Sequence, residues 1–484
     1  MLKLKKKNTD LIFLFTVFSF YILLTNYLSS IKPLSFDELF THNLSKLKIN
    51  EIINSLGPLD PHPPLNKFIT SVSQAIFGPT KFATRLPAII FFGITILVTY
   101  KICNELINKR AARVSSIILL ATTAQFYSYE ARPYALVFML TSVLIYLFVK
   151  STNNKNYNYT LITITTTALI STHFYALFIP LILLFGFSFD AFFLKKKVNR
   201  KLWLSVLIGC STILLYLPTI HNISNSSLSE NNWATPSLSN LLNSLRSIYF
   251  PFICFLIPAL LKWKSLCSKL KELVKNNYAI FYALIFLSSF SIIGFLISLF
   301  LGAYNTRYFL VSILGCLIIS TLIISQYNKK QFVLFGVLFL MLFGFQINNQ
   351  LKSHIRNNEE FKELISLYNK TAHKTLIVSS SFNFMKIQHY AKENHKQNIK
   401  YLIDSDKNND CKGCGAGDIS IFYLSKLNKE FKVTDINKIK EMNDTLYYIY
   451  SGSPDSHDIK KLFKTRKFDT IKKVKNYYLL ESKP

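Results

Sequence analysis

Apolar runs of about twenty residues recur along this chain, separated by short lysine-rich junctions, and that alternation constrains the fold more than any motif does. A helix needs roughly 20 apolar residues to cross the hydrocarbon core of a bilayer. With half of its 484 residues hydrophobic, the chain reads as a polytopic α-helical membrane protein of about eleven transmembrane helices. The spans expected are 11–31, 85–103, 112–127, 133–150, 157–172, 174–194, 202–220, 243–261, 279–301, 308–326 and 331–347. Lys3, Lys5, Lys6 and Lys7 give the first the flank of a signal peptide. It lacks a small-x-small cleavage site and reads as a retained helix.

Orientation follows from lysine and arginine. With a cytoplasmic N-terminus, segments 1–10, 104–113, 150–157, 195–201, 262–275 and 327–331 face the cytoplasm and carry 21 of these residues. The short outer loops, 128–132, the 172/174 junction, 221–242 and 302–307, carry only Arg132 and Arg307. This asymmetry obeys the positive-inside rule at every crossing, and eleven spans then place the C-terminus outside. It also accounts for much of the +30 net charge. Lysines at cytoplasmic helix ends attract anionic lipid, and they are not interleaved with aromatics on a soluble face as a nucleic-acid groove requires.

Residues 351–484 are different. Thr375–Ser379, Lys400–Ile403, Leu446–Tyr450 and Tyr477–Leu480 read as strands, with a helix at Phe384–Asn394, so the chain is divided into a membrane domain, 1–350, and a small C-terminal α/β extracytoplasmic domain, 351–484. Within the first, a long outer loop, 32–84, reads as amphipathic surface helices carrying Leu44, Leu47, Ile49, Ile52 and Ile53, then Leu65, Phe68, Ile69, Val72 and Ile76. Cys411-Lys412-Gly413-Cys414 lacks the second ligand pair of a structural zinc site, which favours a local disulfide in an oxidising compartment. No phosphate-binding glycine loop and no internal repeat is present.

Charge is scarce in the first 350 residues, which makes its positions informative. Ten carboxylates occur there, and six lie in the outer loops. A carboxylate costs about 2.5 to 3.5 kcal/mol at mid-bilayer on insertion scales, so those kept beside one face are site candidates. They travel with Pro- and Arg-containing motifs: Asp37-Glu38, Asp60-Pro61-His62-Pro63-Pro64-Leu65-Asn66-Lys67, Arg85-Leu86-Pro87, Glu130-Ala131-Arg132-Pro133-Tyr134 and Arg307-Tyr308. An outer-face enzyme meets no nucleotide sugars. Its donor arrives on a lipid with phosphate as leaving group, and that chemistry needs a carboxylate to deprotonate the acceptor and cations to stabilise the departing phosphate. A guanidinium suits the second task because it binds phosphate through two parallel hydrogen bonds.

In order and topology these motifs resemble glycosyltransferase family 39, the polyprenyl-phosphate-sugar-dependent enzymes that include protein O-mannosyltransferases and the lipid A aminoarabinose transferase. The resemblance spans roughly 1–330. It implies C-type glycosyltransferase architecture and direct, inverting transfer from a polyprenyl-phosphate sugar to an extracytoplasmic glycan, lipid or protein. It further implies that Asp37 is the base, and that Glu38 supports it, by holding a divalent metal or by ordering Asp37. Arg132 and Arg307 would grip the donor phosphate with help from His62 and Lys67, while Asp60, Glu130, Tyr134 and Tyr308 complete the site. The chain departs from the protein mannosyltransferases at Val137, where they carry a second Asp, and this weighs against protein as acceptor. No cofactor other than the metal is implied. His173 and Tyr175 read as interfacial packing and Tyr304 as part of an aromatic belt. The composition, rich in Lys and Asn, resembles that of an AT-rich bacterial genome and points to the inner membrane. A lipid-linked sugar transporter is the rival from another class; it would favour ionisable residues at the midplane and internal repeats.

In a background lacking the native cysteines, single cysteines at Ser224 and Asp455 should label from outside, and those at Lys197 and Ser268 only after permeabilisation. Labelling at 455 only from inside overturns the orientation.

Overall fold

Each of the eleven apolar segments is helical, because a buried backbone in an apolar setting must satisfy its own N–H and C=O groups. The computed structural model describes residues 2–56, 62–154, 158–193, 199–225, 235–262, 278–302, 304–371, 373–403, 416–440, 445–451, 467–474 and 477–482. Among these, six helices are long and apolar enough to cross a membrane. A seventh is obtained if the pair Tyr278–Ser288 and Phe290–Phe300, bent by 52°, counts as one span, and Tyr159–Ile170, Phe174–Phe189 and Ser312–Ile324 are shorter apolar helices. The run expected at 112–127 breaks at Ala121: helix Lys109–Leu120 gives way to the 3-10 helix Thr123–Tyr129.

The chain divides into two units: Met1–Ser30, His62–Leu217 and Trp233–Lys352 in the first, and Ile31–Pro61, Pro218–Asn232 and Ser353–Pro484 in the second. In the first, the long helix Leu2–Ile31 is tied at both ends. Near its start Asp10 pairs with Lys109 and, at 2.6 Å, with Arg113. At its other end the orphan carbonyls of Ser29 and Ser30 accept from Arg85 Nη1, at 2.7 Å, and from Lys81 Nζ, at 2.9 Å. Arg85 is fully buried, so this motif arginine acts as a helix fastener.

Helix Leu65–Phe77 is built inside out. Lys67, Thr70, Ser73 and Gln74 are buried, while Val72, Ile76 and Phe77 are more than half exposed. Ser73 Oγ donates to Ala83 O at 2.6 Å and Gln74 Nε2 to Thr84 Oγ1 at 3.1 Å. An apolar outer face on a helix whose polar face is satisfied inside fits the expected helix lying in the lipid interface.

In the second unit a six-stranded sheet comprises β1 (Leu376–Val378), β2 (Ile399–Ile403), β3 (Lys432–Asp435), β4 (Leu446–Ser451), β5 (Asp469–Val474) and β6 (Tyr477–Ser482), in the order β3-β2-β1-β4-β6-β5. The β3-β2-β1-β4 part is parallel, and β6 and β5 add antiparallel. Helix Ser381–Tyr390 follows β1 and helix Ala416–Leu427 follows β2, as parallel pairing requires a crossover. Strand alternation splits the core: Leu376, Val378, Tyr447 and Ile449 face one side, and Ile377, Tyr448 and Leu480 the other.

One segment departs from the expected surface helices. Helix Phe36–Leu44, from the first outer loop, buries Leu39, Phe40 and Leu44 in the core on the first side of this sheet. Phe36 lies 4.7 Å from Phe382, and His42 lies 4.6 Å from His389, ring centroid to centroid. A 32–84 loop expected as part of the membrane domain is therefore divided: its first part, through Pro61, belongs with the α/β unit.

Helix Tyr278–Ser288 of the first unit is approached closely on two sides. A Cβ added at Gly186 would come within 2.5 Å of Ala283 Cα, and one at Gly315 within 2.7 Å of Leu284 O. Small residues allow helices to approach without a hydrophobic driving force between them. Gly186→Val should therefore force these helices apart at a cost of about 1 to 3 kcal/mol, read as a lower unfolding midpoint of the purified protein in detergent. An unchanged midpoint would show that the pair can separate freely.

Candidate active site

The structure distributes the expected site residues over both units. Asp37 and Glu38 are in the second, and His62, Lys67, Glu130, Arg132, Tyr134, Arg307 and Tyr308 are in the first. Asp60, Cys411 and Cys414 lie outside the described residues.

Asp37 and Glu38 occupy the first turn of helix Phe36–Leu44, where the positive end of the helix dipole favours carboxylates. The N-cap is Ser35. Ser35 Oγ accepts from Glu38 N at 3.4 Å and Glu38 Oε2 accepts from Ser35 N at 3.0 Å, a reciprocal capping box. The helix start is thus capped without the half-buried Asp37 side chain. Glu38 is fully buried, and the same Oε2 lies 3.5 Å from Nζ of Lys32, itself buried. Among the described residues no three His, Cys, Asp or Glu side chains converge as a metal set.

In the first unit the motifs converge. The His62-Pro63-Pro64-Leu65 segment is held at the 171–175 junction by a hydrogen bond from Leu65 N to Ser171 O, 3.1 Å, and Lys67 Nζ donates to His62 O at 2.8 Å. The 3-10 helix before Glu130 is pinned by Gln346 Nε2 to Thr122 O, 2.7 Å, and by Tyr129 OH to Gln350 Oε1, 3.0 Å. A tight turn then follows, with Arg132 N donating to Glu130 O at 2.7 Å, and the Arg132 side chain is buried. Asn305 caps the 3-10 turn Thr306–Tyr308 by accepting from Arg307 N at 3.1 Å.

A small open pocket is lined by Arg307, Tyr308, Tyr134 and His173, with Val137 and Leu310 among its apolar walls. His173 was expected as interfacial packing. Instead it is 5% exposed, and its ring lies 5.0 Å from His62, 5.0 Å from Tyr308 and 6.0 Å from Tyr134. Its Nδ1 accepts from Tyr175 N at 3.2 Å, which fixes the neutral ring with its proton on Nε2. The sequence signal was present: a lone histidine at an outer turn between two apolar helices. Tyr304 also differs from expectation. It is buried, with its ring stacked 5.0 Å from Phe309, so it belongs to the core and not to an interfacial belt.

Residues 61–217 match the family model described as dolichyl-phosphate-mannose-protein mannosyltransferase. No curated protein matches the chain. In fold the chain is similar to apo ArnT from Cupriavidus metallidurans, with a TM-score of 0.68 at 10% identity over 99% of this chain and 98% of that one. The undecaprenyl-phosphate-bound form of ArnT gives 0.60 at 11% identity over 96% and 97%. The apo oligosaccharyltransferase of Archaeoglobus fulgidus gives 0.52 at 13% identity over 90% and 69%. These similarities show the fold: a multi-pass helical membrane architecture like that of ArnT, with a small C-terminal α/β domain. The family match over 61–217 lies within the span over which the motifs resemble that family, and the likeness to ArnT over nearly the whole chain is one of fold.

The helix that carries Asp37 is sensitive to acid. Burial, with Lys46, His389 and Lys396 nearby, holds His42 down at about 2, and burial with Lys46 and Lys396 holds His389 at about 4. Both values lie below the ordinary 6.5, so the unfolded chain takes up these protons first. The stability contributed by neutral His42 and His389 is fully present above about pH 6.5 and is lost as pH falls from there toward the folded values. Unfolding midpoints measured from pH 7.5 to 5 should fall for the wild type, by about 1 kcal/mol per pH unit from His42. His42→Leu should flatten the slope. Equal slopes would show that these histidines titrate alike in both states.

Proposed function

We propose that this protein is an integral membrane glycosyltransferase that moves one sugar, a hexose or pentose, from a polyprenyl phosphate to an extracytoplasmic glycan or lipid acceptor. The observation that carries this reading is the pocket in the first unit. Arg307, a neutral imidazole N–H donor and two tyrosines line it beside apolar walls, a combination suited to a phosphate carried on a hydrocarbon chain. Support comes from ArnT, whose fold the chain shares and which has been solved with undecaprenyl phosphate bound, and from the match of residues 61–217 to a family of dolichyl-phosphate-mannose-dependent enzymes.

Asp37 takes the acceptor's hydroxyl proton as its oxygen attacks the anomeric carbon. The bond from that carbon to the phosphate oxygen breaks, and the polyprenyl phosphate leaves with the electron pair, its charge taken up by Arg132 and Arg307. Attack opposite the leaving group inverts the anomeric centre. His62 and Lys67 add donors on the phosphate side, and Asp60, Glu130, Tyr134 and Tyr308 shape the site. The N-terminus is assigned to the cytoplasm and the α/β unit to the outer face of a bacterial plasma membrane, in keeping with the lysine distribution.

The test is release of undecaprenyl phosphate from a panel of labelled undecaprenyl-phosphate-linked hexoses, pentoses and amino sugars, with an envelope extract as acceptor. Asp37→Asn should lower turnover by roughly 100-fold to 10,000-fold, the range of general-base removal. Arg132→Lys and Arg307→Lys keep the charge but lose the two-pronged geometry, so they should weaken donor use; the alanine variants should weaken it further. An Asp37→Asn enzyme with more than half of wild-type turnover rejects the base assignment. No release by folded wild-type protein across the panel moves the assignment to a transporter.

A further inference from the structure

We infer that Lys32 is a positioning residue for the reaction, acting through Glu38 on the helix turn that carries Asp37; this rests on the reading of Asp37 as the base. Lys32 lies immediately after the long N-terminal helix and ahead of Pro33, Leu34 and Ser35, a four-residue link into helix Phe36–Leu44. Nζ of Lys32 stands 3.5 Å from Oε2 of Glu38, with the two side chains 6% and 0% exposed. A lysine and a glutamate are almost never this buried unless paired. The same Oε2 accepts from Ser35 N, so one carboxylate oxygen binds both ends of the link.

The geometry closes a small ring of interactions around the turn: Lys32 to Glu38, Glu38 to Ser35 N, and Glu38 N to Ser35 Oγ. Asp37 lies inside that ring, between Phe36 and Glu38, and its carbonyl is in turn held by Thr41 Oγ1 at 3.1 Å. Leu34 and Leu39, which flank the turn, are fully buried, so the backbone beneath Asp37 has little room to shift. Charge adds to shape. Asp37 and Glu38 are adjacent carboxylates, and like charges in a shared low-dielectric site oppose each other's ionisation. Lys32 offsets the charge of Glu38 beside Asp37. The position and charge of a base both matter, since misplacement by about 1 Å can cost 100-fold in rate.

Lys32 makes a prediction that a mere folding role does not. In the donor-release assay, with the undecaprenyl-phosphate sugar that the wild type uses best, Lys32→Met should lower kcat at least tenfold while donor KM stays within about threefold, because the phosphate-binding residues are untouched. Lys32→Arg should restore most of the loss. The double variant Lys32→Met/Glu38→Gln should exceed Lys32→Met several-fold, because glutamine keeps the cap bond to Ser35 N and no buried carboxylate is left for Lys32 to balance. If Lys32→Met does not accumulate as monodisperse protein, Lys32→Arg and the double variant, each compared with Glu38→Gln, decide. A folded Lys32→Met enzyme with kcat within twofold of wild type, or a double variant no better than the single, overturns the inference. Asp37→Asn separates the two claims: if it retains turnover, the base assignment falls and this inference with it; if it is inactive while Lys32→Met is not, only the inference falls.

Discussion

The seating of one short helix in the core of the α/β unit is the interaction on which the placement of Asp37 depends. Leu39, Phe40 and Leu44 enter the same core as Leu376, Val378 and Ile449 of the sheet. Each such side chain contributes roughly 1.5 to 3 kcal/mol when fully buried. A nine-residue helix has no stability of its own in water, so its existence and direction derive from that burial. The α/β unit, which carries no recognisable motif, is thereby the scaffold of the most motif-rich carboxylates in the chain. A truncation that removed residues beyond 353 would take away the floor beneath Asp37.

The first unit meets a different constraint. Its helices offer few charges, and several described cations near helix ends are engaged: Arg85 and Lys81 close the carbonyl end of Leu2–Ile31, Arg113 and Lys109 hold Asp10, and Arg110 bonds the carbonyl of Tyr327 at 2.9 Å. The guanidinium of Arg307 stands on a pocket wall. Its carbon lies 5.9 Å from the ring centre of Tyr308, within reach of a cation–π contact that limits its wander. An arginine held by an aromatic face presents its fork at less entropic cost than one on a free loop.

Much of this was legible in the sequence, for physical reasons that can be named. The apolar runs had to be helices, and β1, β2, β4 and β6 were visible because buried strands concentrate β-branched and aromatic residues. The two strands that escaped notice, β3 and β5, are the sheet's edges. Lys432–Asp435 and Asp469–Val474 carry lysines and aspartates, and the second is largely exposed, as edge strands are when pairing with other chains must be discouraged. The membership of helix Phe36–Leu44 in the second unit was not legible at all. It depends on contacts more than 300 residues away along the chain, such as Phe36 with Phe382, which leave no periodic trace. His173 was visible as a residue, but only the fold brings His62, Tyr134 and Tyr308 around it.

Val137 carries the argument about the acceptor a step further. It sits on the pocket wall with Leu310 and Val311, 8% exposed, at the position where the protein mannosyltransferases that the motifs resemble have an aspartate. A carboxylate there would place a negative charge in the same pocket as Arg307 and draw part of its field away from a bound phosphate. With valine the wall is apolar and Arg307 keeps its full attraction for an anion, at the expense of a hydrogen-bond acceptor that a polar substrate could use.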